Sequence, residues 1–138
     1  MEGTQCYNVG DYSLYGEADD APATFSNYAT QPRDFLHTVA APGDCVITTS
    51  IRPKAAGGPP NGDVWDGTSF ASPHIAGEVA VCIADGRCSS SKPLTNLARI
   101  QGDSAIYNLT HRGYGFQGDP LRPQPGHYYG FLVRAGDF

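Results

Sequence analysis

Hydrophobic positions along the chain fall into short groups separated by polar and Gly/Pro-rich stretches. Residues 1–22 are polar, aromatic and acidic without a period, and Asp19-Asp20-Ala21-Pro22 reads as a loop, so this stretch is an irregular lead-in. Thr38-Val39-Ala40-Ala41 before Pro42-Gly43 predicts a short buried strand ended by a turn, and the β-branched run Cys45–Ile51 predicts a second. Gly57-Gly58-Pro59-Pro60-Asn61-Gly62, within the stretch from Arg52 to Asp63, is a surface loop, and Val64-Trp65 is a short strand. From Ser69 to Ala84 the apolar residues Ala71, Ile75, Ala76, Val79, Ala80, Cys82 and Ile83 cover most of a helical circumference, which predicts a helix buried nearly all round. Pro73 removes one backbone bond, so this helix must begin within about a turn upstream, with Ser69 at or beside its N-terminus. Asp85-Gly86 ends it. A second, amphipathic helix is predicted over Pro93–Gln101 with Leu94, Leu97 and Ile100 on one side, and Tyr128–Arg134 is the last strand. There is no internal repeat.

A chain of 138 residues fits one domain, and 40% hydrophobic with 17% charged residues can bury an interior. Nine Lys and Arg against 14 Asp and Glu give a net charge of -5, the wrong sign for nucleic acid or an anionic membrane surface. The most apolar stretch, Ile75–Ala84, is interrupted by Glu78 and falls well short of the roughly 20 residues that span a membrane. Met1–Gln5 has neither the basic nor the apolar region of a signal peptide.

The segment Gly67-Thr68-Ser69-Phe70-Ala71-Ser72-Pro73-His74-Ile75-Ala76-Gly77 carries the chemistry. A serine hydroxyl in the first turn of an apolar helix sits beside free backbone N–H groups and the positive end of the helix dipole, which together stabilise an oxyanion. Gly67 lets a substrate approach the backbone, and Ala71 and Ser72 leave space around that turn. A plain helix cap before a core helix uses the same residue types. The string as a whole resembles the nucleophile motif of the subtilisin-like serine proteases, the subtilase family. Ala23-Thr24-Phe25-Ser26-Asn27-Tyr28 and Ala40-Ala41-Pro42-Gly43 are similar to family segments that precede the nucleophile. Gly115-Phe116-Gln117-Gly118-Asp119-Pro120 and Gly130-Phe131-Leu132-Val133 are similar to the end of the catalytic domain in some secreted members.

This resemblance implies an α/β chain, a partial subtilisin-like three-layer fold with a mostly parallel sheet and a buried central helix, residues 1–138 being the C-terminal portion of a catalytic domain and residues 69–84 the nucleophile-bearing helix. It implies peptide-bond hydrolysis through an acyl-enzyme on Ser69, with a polypeptide as substrate. By position, Thr68 adds a hydroxyl near the oxyanion, Trp65 and Asp66 line the leaving-group side of the cleft, and Phe70 borders the same side. Ordinary loop packing serves Trp65 and Phe70 equally well, and a solvated turn serves Asp66. Packing is the stronger reading of Phe25, Ser26 and Asn27.

The base and its carboxylate are absent from this sequence. A neutral serine needs both, and in the family the Asp and the His precede the Ser in Asp-Ser/Thr-Gly and His-Gly-Thr-His settings, with an oxyanion Asn in Ala-Gly-Asn; none of these strings occurs here. The chain by itself is therefore expected to be inactive, and the N-terminal half of the catalytic domain becomes its expected partner. His74, five residues after Ser69, points to another helix face, and His37, His111 and His127 match no catalytic position. The alternative is a non-catalytic binding or structural relic of the scaffold. An unrelated esterase would want a Gly-x-Ser-x-Gly elbow, which Ser69 lacks. Gly113–Gly118 fits Gly-x-Gly-x-x-Gly, but Asp119-Pro120 and Arg122-Pro123 block the helix a dinucleotide site needs.

Cys6, Cys45, Cys82 and Cys88 allow three disulfide connectivities. Cys82 and Cys88 flank a helix end and a Gly turn, so a local bridge is geometrically allowed, leaving Cys6 with Cys45; both fit the pattern of some secreted subtilases. Buried free thiols are the other reading, and no Cys-x-x-Cys spacing supports zinc. Asn108-Leu109-Thr110 permits N-glycosylation in a eukaryotic source. An extracellular, oxidising location follows as the expectation. No cofactor is indicated; calcium is common in the family, but no acidic cluster with a Gly turn marks a site, and metal ligands are expected to be none.

Overall fold

The computed structural model describes residues 20–49 and 62–134. In chain order these form a one-turn helix α1 (Pro32–Phe35), strands β1 (Val46–Thr49) and β2 (Gly62–Trp65), and helices α2 (Thr68–Ala84) and α3 (Pro93–Thr110), followed by an irregular segment from 111 to 134. The irregular lead-in lies outside the described residues except at positions 20–22, as do the surface loop through Asn61 and the end of the predicted strand at 50–51.

The β-branched run forms β1, which pairs antiparallel with β2 in the register Val46↔Trp65 to Thr49↔Gly62. The sheet expected to be mostly parallel is not assembled by the described residues. Their one sheet is this two-stranded antiparallel pair, and their one parallel pairing is an isolated bridge from Ala40 to Leu132. Parallel neighbours need a long crossover, usually a helix, and the Gly/Pro-rich stretch between β1 and β2 offers no apolar period for one.

Neither Thr38–Ala41 nor Tyr128–Arg134 is a regular strand. Each is extended chain held at single points. Ala29 and Tyr128 exchange backbone bonds of 2.8 and 3.0 Å, and Ala40 bonds Phe131 and Val133 at 3.0 and 2.9 Å. These two stitches tie residues 29–40 to the C-terminal segment, and Phe35 stacks on Tyr128 with ring centroids 4.1 Å apart. Gly130 is required here: its φ is +79°, and a Cβ would fall 2.4 Å from the Thr38 carbonyl oxygen.

Helix α2 begins one residue earlier than predicted and ends as predicted, with Gly86 at φ 74° and the N–H groups of Arg87 and Cys88 both returning to the Cys82 carbonyl. Burial nearly all round is not observed. Only Glu78 and Cys82 are buried, and Val81 is 42% exposed. One side of α2 meets α3, where Ile75, Val79 and Ile83 share a groove with Asn96, Leu97 and Ile100. The described residues do not cover the rest of its apolar circumference.

Helix α3 runs nine residues past the predicted end at Gln101, straight through Gly102. An isolated mid-helix Gly costs only about 1 kcal/mol, and the anchored stripe on either side outweighs it. That stripe is Asn96, Ile100, Ser104 and Asn108, four residues apart and largely polar, which a search for apolar positions misses. Ile100 is buried as expected, whereas Leu94 is 69% exposed. Asn96 and, just off the stripe, Gln101 are tied down, whereas the Ser104 hydroxyl is buried without a hydrogen-bond partner. Asn96 accepts the Ser89 N–H at 2.9 Å and donates to the Ser89 carbonyl at 2.7 Å, and Gln101 donates to the Thr38 carbonyl at 3.1 Å.

The C-terminal segment is organised around Asp119, which is completely buried. Its carboxylate accepts the N–H groups of Phe116, Leu121 and Arg122 at 3.1, 2.8 and 2.8 Å and pairs with the Arg122 guanidinium at 2.5 Å. The same guanidinium donates to the carbonyls of Phe116 and Tyr114. The Gly-x-Gly-x-x-Gly string wraps this ion pair. Gly115 has φ +101°, and a Cβ there would overlap Arg122, Asp119 and Asn108. Removing Asp119 leaves three backbone N–H groups and a partly exposed guanidinium without their acceptor, and each buried donor so orphaned costs about 1 to 3 kcal/mol. Asp119→Ala should therefore lower the urea midpoint sharply, with Gly115→Ala also destabilising; wild-type midpoints for both would show that this knot carries little stability.

Candidate active site at the start of α2

Two turns meet to set the first residue of α2. The Gly67 N–H donates to the Gly43 carbonyl at 2.7 Å. A Cβ on Gly43 would lie 2.9 Å from the Gly67 carbonyl oxygen and 3.1 Å from the Ala71 methyl, so this close approach requires glycine. Gly67 itself has φ 143°. One residue before Gly67 and two after Gly43, Asp66 Oδ1 accepts the Cys45 N–H at 2.8 Å, beside a Cys45 backbone at φ 55°, a left-handed conformation that non-glycine residues seldom adopt. The Gly67 carbonyl then receives the Phe70 and Ala71 N–H groups at 2.9 and 3.4 Å, and the helix is under way.

Ser69 is the second residue of α2 and is exposed. No side chain caps this end, so the first-turn N–H groups stand beside the hydroxyl at the positive end of the helix dipole. Pro73 lies just beyond the first turn, inside the helix, and withholds the N–H that would otherwise bond the Ser69 carbonyl.

Trp65 and Phe70 stack with ring centroids 6.0 Å apart and planes at 20°, so these two predicted cleft residues come together on either side of the Gly67-Thr68-Ser69 turn. Asp66 clasps Cys45 through Oδ1, and its Oδ2 is buried without a hydrogen-bond partner. Thr68 Oγ1 accepts a long bond, 3.5 Å, from Asn27 Nδ2. A cavity of about 770 Å³ lies against the α2 face formed by Thr68, Ala71, Ser72 and Ile75; Asn27 and His37 also line it, and Ser69 does not. The cavity and the exposed hydroxyl therefore belong to different faces of the helix.

None of the described histidines is arranged as a base for Ser69. His74 Nδ1 bonds the Phe70 carbonyl at 2.8 Å, back along its own helix. His111 stacks on Tyr107 at 3.8 Å, and His127 packs against Tyr28 at 4.0 Å. Ligand atoms of Asp44, Cys45 and Asp66 lie within 4.8 Å of one another, but Cys45 is disulfide-bonded and has no thiolate to offer. Cys82 and Cys88 form the expected bridge, with Cα atoms 5.1 Å apart, within the ordinary range. Cys6, the expected partner of Cys45, lies outside the described residues. Asn108, the expected glycan acceptor, sits in α3, is 2% exposed, and its amide donates to the Ser104 and Leu132 carbonyls at 2.7 and 3.2 Å. The folded chain offers no glycan acceptor there, because the helix continues where the sequence suggested a loop.

The model of the subtilase family matches residues 8–96. The chain belongs to the subtilase family. No curated protein and no solved structure matches it. The matched stretch takes in β1, β2, α2 and the start of α3, so the Gly43–Gly67 contact and the exposed serine fall inside the part of the chain that is subtilase by sequence. Subtilases are serine peptidases. Sequence reasoning missed Gly43 as a packing partner of the motif, although its place in Ala40-Ala41-Pro42-Gly43 was already a family signal. It also passed over Glu78, an acid interrupting an apolar run.

If Asp66 holds the turn, Asp66→Ala should lower unfolding stability by about 1.5 to 3 kcal/mol, the loss of a charge-assisted hydrogen bond. Unchanged thermal unfolding would return Asp66 to the cleft.

Proposed function

We propose that Ser69 is the nucleophile of a subtilisin-like serine endopeptidase and that residues 1–138 form the C-terminal portion of its catalytic domain. One observation supports this above the others: within a subtilase-matched segment, Ser69 is exposed in the uncapped first turn of a 17-residue helix. Its Oγ would pass its proton to the base and attack a peptide carbonyl while first-turn N–H groups face the developing oxyanion; the C–N bond then breaks as the base returns that proton to the departing amine, and water hydrolyses the acyl-enzyme that remains. Gly67 and Thr68 shape that turn, and the Trp65–Phe70 stack forms one wall of the approach.

The general base, its carboxylate and the oxyanion Asn come from the N-terminal half of the domain, the partner of this chain. The uncovered apolar side of α2, including Ala76, Ala80 and Val81, is consistent with a larger domain closing over it, where the three-layer fold with a parallel sheet would be completed. The substrate is a polypeptide; the acidic balance disfavours nucleic acid, and no helix among the described residues is long and apolar enough to cross a membrane. Bonded Cys45, Cys82 and Cys88 support secretion into an oxidising compartment. Calcium in the full-length protein is left to the absent half.

A fluorophosphonate serine probe tests the reading. The full-length protein should label at Ser69, and Ser69→Ala should abolish labelling. The chain by itself should label barely at all, since removing the base in this family costs about 10⁶-fold in kcat. Strong labelling of the isolated chain would overturn the assignment of the base to the other half. No labelling of an intact full-length protein would favour a non-catalytic relic of the scaffold.

A further inference from the structure

Glu78 lies halfway along α2 and is only 2% exposed, yet its Oε2 has no hydrogen-bond partner. No ion pair among the described residues includes it. The charged group acting on it is a second carboxylate, Asp103 of α3, whose Oδ2 is also buried without a hydrogen bond and lies 3.7 Å from Arg99 Nε. The remaining titratable groups on the packed elements do not neutralise it. Tyr114, which interacts with Glu78, donates its hydroxyl to the Val133 carbonyl at 2.8 Å, and Arg134 is drawn over the Tyr107 ring at 4.0 Å. A buried carboxylate with a like charge nearby and no cation of its own is unfavourable on both counts, whereas a neutral carboxyl removes the repulsion and lessens the cost of burial.

We propose that Glu78 is a proton-operated clasp between α2 and α3, closed when its carboxyl is neutral and opened when it ionises. The clasp acts on the helix that presents Ser69, but it rests on burial and charge alone and holds whether or not Ser69 is catalytic.

Burial first, and Asp103 second, raise the Glu78 pKa from an ordinary 4.5 to about 7. A carboxyl raised in the folded state favours folding while the folded form keeps a proton that the unfolded form has lost. This contribution is present in full below about pH 4.5, declines as pH rises and is gone above about 7. The test compares wild type with Glu78→Gln in the full-length protein, by denaturant unfolding from pH 4 to 8. Relative to the variant, the wild-type folding equilibrium should fall by about 10²-fold or more across that range. Parallel pH profiles would overturn the proposal. A carbon-13 NMR titration of the Glu78 carboxyl gives a second reading without a variant: a midpoint above 6 supports the clasp, and one near the ordinary value sinks it. Asp103→Asn should move that midpoint down without abolishing the shift. If added calcium chloride displaces the titration, the site holds a metal ion and the proton clasp is wrong.

Discussion

The position of the serine depends on a single backbone contact, the hydrogen bond from the Gly67 N–H to the Gly43 carbonyl. Because Gly43 carries no Cβ, its segment can approach the Gly67 carbonyl and Ala71 closely, while Gly67 supplies a φ of 143° that side-chain-bearing residues rarely adopt. The contact decides where the extended chain ends and where helical geometry begins. Asp66, one residue earlier, fixes the same junction from the opposite direction by accepting the Cys45 N–H. Two glycines and one carboxylate thus convert a flexible Gly-Thr-Ser segment into a defined helix start, and the apolar body of α2 follows from it.

The other half of the structure rests on charge instead of backbone proximity. Asp119 gathers three backbone N–H groups and a guanidinium, and a segment with little regular structure acquires a fixed path around it. That path returns Tyr128 and Phe131 to Ala29 and Ala40, so the C-terminal segment supports the residues leading into Gly43. The hydrophobic core is correspondingly small: apart from Ile100, Phe116, Tyr129 and Val133 its largest buried members are polar or bridged by sulfur.

Locally encoded features were legible in the sequence. The helix-forming run of α2, the Gly86 stop and the Cys82–Cys88 spacing each concern neighbouring residues, and each appears in the structure, though the all-round burial of α2 does not. The motif string led to the family, and its position predicted the exposed first-turn serine. Features set by tertiary partners were not legible. The anchored face of α3 is a row of amide and hydroxyl side chains around one isoleucine, so the hydrophobic pattern pointed to Leu94, which faces water. Asn108 fits a glycosylation string equally well on a loop or in a helix; only its bonds to Ser104 and Leu132 decide the matter. Extended segments 38–41 and 128–134 have strand composition but make single bridges, because pairing depends on which neighbours are present along their length.

Polarity inside α2 separates two demands on the same helix. Its first turn has no side-chain cap, and Pro73 withholds the N–H that would bond the Ser69 carbonyl, both at the expense of local helix stability. The compensating anchor has to lie farther along, and the residues buried there are Glu78 and Cys82. Cys82 anchors covalently to the turn that leads into α3. Glu78 anchors in a way that depends on its protonation, since hydrocarbon at that position would pack without reference to pH whereas a carboxyl beside Asp103 cannot. A helix held at one end by glycine contacts and at the other by a disulfide is already fixed along its axis. The clasp proposed at Glu78 therefore lies between these two fixed points, away from the turn that carries the serine.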